Sequence, residues 1–509
     1  MQTTDITKEL DNLSSKVSTG AFWIFLFQIL DNVLGFLRLL ILARVLTPTD
    51  FGLVGIAWLI LQIITAFTQT GIQQTLIHRK DTEKYLSTAW TFLLIRGALL
   101  YGLLYILAPY LGSFFNSTDS ILVIRVIGLT IFAEGLINIS VVYFQKELHF
   151  NKQFIFQIGG NIVDFIVAVT LAFILHNVWA IIYGSLANSV IRIILSYVLS
   201  KYRPKFEFNL SYFKELNNYG KWIAGSNILQ FIYSQGDDLL VGKILGPLSL
   251  GYYQLAYKIS NLPATQITHL ISSVMFPAYS QIQSDTTRIS KIYLQVLQLI
   301  AFLSFFVGTI IILFANDFTV LFLGDKWLPM VPAMQILTIW GVLRSIGATT
   351  GPVWQALGTP KVVTKIQTLQ VIILVIIIYP FSILWNIAGT SLAVVISALI
   401  PNIIAISIIS KTIKIEISEI YKENLIPLFG SVLIGVFTFF SRHLIFKEIN
   451  YLNFIVLSSG SILVYLLYSI IMHKYFNYLF YRNIFKLIKS TSKNKNLLKL
   501  ISKFELFIK

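Results

Sequence analysis

Asp237 and Asp238 stand side by side in "YSQGDDLLVGKILG" (Tyr233–Gly246), inside a run otherwise apolar enough for a membrane. A carboxylate at the centre of a bilayer costs about 2.5–3.5 kcal/mol or more, so this pair needs a polar surround or a partner. Other charges share the predicament. Arg38, Arg96, Arg125, Arg192, Lys258 and Arg344 lie within apolar runs, and so do the acids Asp31, Glu134 and Asp164. Two kinds of chemistry suit the set. Guanidinium forks bind phosphate oxygens in pairs, so the cations can line a cavity that holds an anionic head. Adjacent acids repel, so one can hold a proton or neighbour a sodium ion, which makes the five acids gating or ion-coupling candidates. The plain alternative is that the charges pair off, or snorkel to the interface. That alternative is favoured for Arg125 and Arg192, close to helix ends. Arg38, Arg96 and Arg344 lie deeper.

The elements that position these residues are set by composition. The chain has 509 residues, 56% hydrophobic and 12% charged, against about 25% charged in soluble proteins. Apolar runs of 18 or more residues recur throughout, the mark of a polytopic helical membrane protein. The alternating ten-residue pattern of an outer-membrane barrel is missing. With no cysteine, disulfides, thiolate metal sites and cysteine nucleophiles are excluded. The six histidines have no metal-ligand spacing; His269 suits a helix core. No phosphate-binding Gly-Lys-Ser/Thr loop exists, so ATP hydrolysis is not expected. The first apolar run is too long for a cleaved signal peptide and is expected to remain as a helix.

Fourteen transmembrane helices are predicted, the first at Gly20–Arg44 and the last at Leu452–His473. The connecting segments alternate in charge: one set sums to 28 Lys+Arg and the other to 5, with 6 of the 39 inside helices. The positive-inside rule then places both termini in the cytoplasm. The net charge of +16 is topogenic, and nucleic acid is not an expected partner. No connection is long enough for a soluble catalytic domain. The tail at 474–509 spaces Phe476, Phe480, Ile484 and Leu487 at helical intervals among cations. This suits an amphipathic helix on anionic lipid as well as simple topogenic charge.

Sliding the sequence against itself by 199 residues aligns Trp23–Ile60 with Trp222–Ile259, with ten identities in 38 ungapped positions. Pro48 meets Pro247, Gly52 meets Gly251 and Arg44 meets Lys243. The shift maps the first helix onto the seventh, so both copies enter from the same side, as in transporters built from two parallel bundles. The expected architecture is all-α. A short segment 1–19 precedes a six-helix bundle at 20–200 and a basic linker at 201–218. A second bundle at 219–410, two extra helices at 424–473 and the tail complete it. Gln28, Asp31, Gly35 and Arg38 share one helix face, as do their repeat partners Asn227, Gln230, Ser234 and Asp237, so both stripes should face one polar cavity. Arg38 and Asp237 occupy equivalent positions, and they are expected to pair when the outer side closes.

Several stretches then carry a resemblance: "LARVLTPTDFG" (Leu42–Gly52), "LIHRKDTEKYLSTAW" (Leu76–Trp90), "YFQKELHF" (Tyr143–Phe150), "YRPKFEF" (Tyr202–Phe208), "DDLLVGKILGPLSLGYYQLAYKI" (Asp237–Ile259), "VMFPAYSQIQ" (Val274–Gln283) and "LGDKWLPMVPAMQIL" (Leu323–Leu337). In order and spacing, from about Val17 to Ser410, the chain resembles the Wzx-type polysaccharide flippases of the multidrug/oligosaccharidyl-lipid/polysaccharide exporter superfamily. The branch it is most similar to is that of colanic and teichuronic acid exporters. The acid near Asp50 is kept. The family's "LDNLLIG"-like run has glycine, Gly236, for its first leucine. The resemblance implies a two-lobed bundle in the bacterial inner membrane. It would move undecaprenyl-diphosphate-linked sugar repeats outward by alternating access, with a basic central cavity for the diphosphate. It implies a lipid-linked oligosaccharide and membrane lipid as partners, with other polysaccharide-assembly proteins beside them. No cofactor is expected, and the intramembrane acids leave proton or sodium coupling open. The competing functions are an ion-coupled efflux antiporter on the same fold and a membrane-embedded polymerase or ligase. Short external loops argue against the enzyme.

Overall fold

The computed structural model describes the backbone of residues 2–68, 71–79, 81–262, 264–265 and 268–476. The side chains of 1–18, 21, 217–230, 232–233, 266–274 and 476 lie outside the description. So do the tail beyond 476, Pro263, the His269 side chain, and the Asn227 and Gln230 half of the second polar stripe. Every regular element among the described residues is helical. Ten helices are long and apolar enough to cross a membrane, or eleven when the bent pair Ser120–Leu136 and Ile139–Lys146 counts as one span. The chain is a multi-pass membrane protein. Leu99, Ile106, Ile174, Ile376 and Leu463 are well exposed on these helices, as expected where the surrounding medium is lipid.

The chain divides into two compact units, Met1–Gly251 and Tyr252–Lys509. The first contains α1 (Gln2–Val45), α2 (Pro48–Thr68), α3 (Ile72–His78), α4 (Glu83–Phe114), α5 (Ser120–Ile127), α6 (Leu129–Leu136), α7 (Val142–Lys146), α8 (Phe150–Leu175), α9 (Trp179–Val198) and most of α10 (Leu210–Ser260). Helix α2 opens on a capping box. Asp50 N donates to Thr47 Oγ1 at 3.2 Å, Thr47 N donates back to Asp50 Oδ2 at 2.9 Å, and Pro48 takes the first helical position. Asp50 is therefore a cap. The repeat turn at Gly246 has φ 80°, ψ −179° and breaks α10 in two.

The two copies of the turn meet reciprocally. A Cβ on Gly52 would lie 1.7 Å from the carbonyl oxygen of Pro247, and a Cβ on Gly251 would lie 1.9 Å from that of Pro48. Only glycine permits such an approach of backbone to backbone. The same logic joins α4 to α6. A Cβ on Gly135 would sit 2.7 Å from Leu93 O, and one on Gly97 would sit 3.0 Å from Ile131 O. Small residues at helix crossings are the usual means of close packing in membranes.

The linker 201–209 is strapped to the start of α4. Tyr202 and Ser87 share a hydroxyl hydrogen bond of 2.8 Å, Glu207 N donates to Thr91 Oγ1 and Asn209 N to Thr88 Oγ1. Beyond it, Glu215 accepts from Tyr85 Oη at 2.6 Å and from Arg79 Nη1 at 2.9 Å. The Tyr85 hydroxyl, and then Arg79, hold the Glu215 carboxyl below its ordinary value of 4.5. Its contribution to the strap is complete above that value and is lost as pH falls through the depressed one. A spin label at Phe206→Cys, in a chain with no other cysteine, is expected to keep constant mobility from about pH 8 to 5 and loosen only below the ordinary glutamate range. In a Glu215→Gln background it should be loose throughout. Equal mobility in both proteins would remove the role given to Glu215.

The second unit contains α11 (Thr268–Gln281), α12 (Thr286–Phe318), α13 (Val331–Gly347), α14 (Thr350–Ala356), α15 (Lys361–Ile413), α16 (Ile417–Leu444) and α17 (Tyr451–Phe476). Helix α15 breaks at Trp385–Asn386, where Asn386 has φ 51°. The stretch "LGDKWLPM" (Leu323–Met330) turns through Gly324 at φ 98° into a 3₁₀ segment, Asp325–Met330. It buries Trp327 completely, edge-on to Tyr252. That motif is a packing device.

Candidate functional site

Six of the singled-out charges come together in the first unit: Arg38, Arg96, Arg192, Asp31, Glu134 and Asp164. Arg38 on α1 donates from Nη2 to Asp164 Oδ1 on α8 at 2.9 Å, with both side chains mostly buried. A Cβ on Gly184 of α9 would lie 2.5 Å from Asp164 Oδ1, so the glycine is what lets the carboxylate sit between α8 and α9. Two helical turns earlier on α1, Asp31 accepts from Asn161 Nδ2 at 2.6 Å, and Asn161 accepts from Asn188 Nδ2 at 3.0 Å. A polar spine thus runs through α1, α8 and α9. In this structure Arg38 pairs with Asp164, whose helix packs directly on α1; the Arg38–Asp237 pair is expected only for the state closed on the outer side.

Two chambers open beside this spine. One, of about 330 Å³, is lined by Arg38, Trp58, Glu134, Asp164, Asn188 and Arg192 among others. The other, of about 400 Å³, is lined by Gln73, Gln74, Arg96, Glu134, Ile137 and Arg192 among others. Both volumes fall in the range of small-molecule sites. Glu134, Ile137 and Arg192 belong to both walls. The chain bends by 73° after Leu136, between Glu134 and the next helical segment. At that bend Asn138 N donates to Ser196 Oγ and its side chain donates to Tyr202 O. Arg96 Nη2 donates to Thr68 Oγ1 at 2.7 Å. Arg192 lies over the Phe156 ring at 4.8 Å. The Nε atoms of Arg38, Arg96 and Arg192 are buried without a hydrogen-bond partner. Such donors, next to chambers, suit an anion.

The remaining predicted residues fall elsewhere. Arg125 lies against Tyr105, donating to its carbonyl and sitting 4.3 Å over its ring. Arg125 lines neither chamber, whereas Arg192 lines both. Asp237 and Asp238 are buried in α10 and line neither chamber. In the second unit Lys258 is exposed. Arg344 stacks on Trp340 at 5.1 Å and reaches Asn261 at 3.4 Å. Among the described residues no His, Asp or Glu cluster could hold a metal ion. Sequence reasoning missed Asn161 and Asn188, although each lies one turn from a charge on its own helix. It also missed the Arg442–Asp317 pair, because both residues were assigned to helix ends.

A family of proteins described as "Polysaccharide biosynthesis protein" matches residues 41–332. The chain belongs to that family. The match spans both glycine turns, the Trp327 motif and the chamber walls other than Arg38. Among curated relatives, the lipopolysaccharide biosynthesis protein WzxC of Escherichia coli K12 is 26% identical over 68% of this chain and 71% of its own. The teichuronic acid biosynthesis protein TuaB of Bacillus subtilis 168 is 24% identical over 69% and 73%. Among solved structures, the lipid II flippase MurJ in an inward closed conformation aligns with a TM-score of 0.70 at 16% identity, covering 88% of this chain and 99% of its own. An inward-facing multidrug MATE-family transporter aligns at 0.59, also with 16% identity, covering 78% and 96%. At that identity the likeness concerns the fold alone.

Proposed function

We propose that the chain is a flippase. It translocates undecaprenyl-diphosphate-linked oligosaccharide repeat units across the bacterial inner membrane by alternating access, for surface polysaccharide biosynthesis. The observation that carries this reading is the pair of chambers walled by Arg38, Arg96 and Arg192 inside a multi-pass helical protein of the polysaccharide biosynthesis family. Guanidinium groups in a site shielded from bulk water bind phosphate oxygens strongly and ask for no covalent chemistry. The relatives' names supply the substrate class, a cell-surface polysaccharide precursor. Both termini are cytoplasmic with fourteen spans in this reading. Reporter fusions at Ser117 and Glu419 are expected to report outside and inside respectively. The acids of the chambers leave proton or sodium coupling as part of the proposal.

The test is genetic and chemical. Deleting the gene should cause a lipid-linked oligosaccharide to accumulate on the inner leaflet. Arg96→Ala and Arg192→Ala should fail to clear it while the protein stays at normal membrane level. Each loses a charge-assisted contact of about 1.5–3 kcal/mol. Full clearance by both variants would sink the cationic-chamber reading.

A further inference from the structure

The membrane around such a site is crowded with singly charged phosphodiester lipids. An arginine-lined chamber has no evident reason to prefer a scarce diphosphate over them. Glu134 is placed to supply that reason. It sits in the wall shared by both chambers, beside Arg192, which lines both, and Arg96, which lines one. Among the described residues its carboxylate makes no ion pair or hydrogen bond. The α4–α6 crossing at Gly97 and Gly135 fixes it there.

We propose that Glu134 is the specificity-determining residue of this site: a resident carboxylate that shares the field of Arg96 and Arg192, so that a ligand must offer more than one negative charge to displace it. The inference rests on the flippase reading above. The charge count is simple. The Arg38–Asp164 pair cancels, and Arg96 and Arg192 against Glu134 leave one net positive charge. A phosphodiester with one charge gains one arginine's attraction and meets the carboxylate's repulsion. A diphosphate diester carries a second charge on a second phosphate and can engage both Arg96 and Arg192, which line the chamber of about 400 Å³ together. Repulsive elements of this kind are a common source of discrimination.

The experiment uses the full-length purified protein in neutral detergent and two soluble probes. One is UDP-glucose, a diphosphate diester. The other is dihexanoyl phosphatidylglycerol, a phosphodiester. Binding of each is followed by calorimetry. In the native protein the diphosphate should bind more tightly. Glu134→Gln should raise phosphodiester affinity about tenfold, the size of one charge-assisted contact, and narrow the ratio between the probes. Glu134→Asp, which keeps the charge, should restore the native preference. Glu134→Ser serves as a second neutral variant if the glutamine protein does not fold. An unchanged ratio in the neutral variants, or equal weakening of both probes, overturns the role of Glu134. Diphosphate binding that is absent in the native protein, or indifferent to Arg96→Ala and Arg192→Ala, overturns the flippase site itself.

Discussion

Gly52→Ala and Gly251→Ala are each expected to stop export and to lower the thermal stability of the purified protein. The added methyl has nowhere to go. At position 52 it would stand 1.7 Å from the Pro247 carbonyl oxygen, and at 251 it would stand 1.9 Å from that of Pro48. Neither obstacle is a side chain that could rotate aside; each is backbone fixed by a helix start. Pro48 is held by the Thr47–Asp50 capping box, and Pro247 follows the left-handed Gly246. Overpacking of this kind costs about 1–3 kcal/mol even where side chains can adjust. The proper control is Gly35→Ala, because a Cβ at Gly35 meets nothing within 4 Å. Replacing glycine by alanine in open helix should be neutral or mildly stabilising. Because the two contacts are one interface seen from both sides, the double variant should cost less than the sum of the singles. If Gly52→Ala matched Gly35→Ala in melting temperature and export, the close approach would not matter to the protein.

How much of this could be read from the sequence differs by the kind of signal. The all-helical membrane class follows from composition alone. The repeat was visible in its turn, Pro48 with Pro247 and Gly52 with Gly251, because a backbone contact leaves few residue choices. That the two turns touch each other was not visible, since an alignment of copies says nothing about their distance. The same limit explains Arg38. Its repeat partner is Asp237, but its helix packs against α8, and the charge it meets there is Asp164. Helical spacing places a residue on a face; only packing says which neighbour that face meets. Arg192 looked dispensable because it lies near a helix end, yet it shares both chamber walls with Glu134, which lies just before the bend after Leu136. Nothing in the apolar run through Leu136 announces that bend except Asn138, whose polar groups stitch it to Ser196 and Tyr202.

The Arg38–Asp164 pair yields the second large effect, and its design separates folding from transport. Asp164→Ala leaves a guanidinium in the protein interior without its counter-charge. Breaking a buried pair in this way costs about 3–5 kcal/mol, so little folded protein is expected. Arg38→Ala leaves the carboxylate instead and should be as damaging. The neutral double variant Arg38→Gln with Asp164→Asn removes both charges together, and a buried pair replaced in concert is often close to neutral for stability. That protein should fold. If Arg38 serves only the α1–α8 packing, the double variant should also export. If Arg38 is borrowed by the substrate in the chamber that it lines with Glu134 and Arg192, the double variant should fold and fail to export. The swap Arg38→Asp with Asp164→Arg then decides where the charge must sit. It moves the cation one helix over while keeping the pair and the chamber's net charge. Restored export would mean that the chamber needs only a positive charge nearby. A folded but inactive swap would mean that the guanidinium must reach in from α1. Pairing with Asp237 makes a different forecast: Arg38→Asp with Asp237→Arg should rescue export. The committed 2.9 Å contact to Asp164 leads us to expect that it will not.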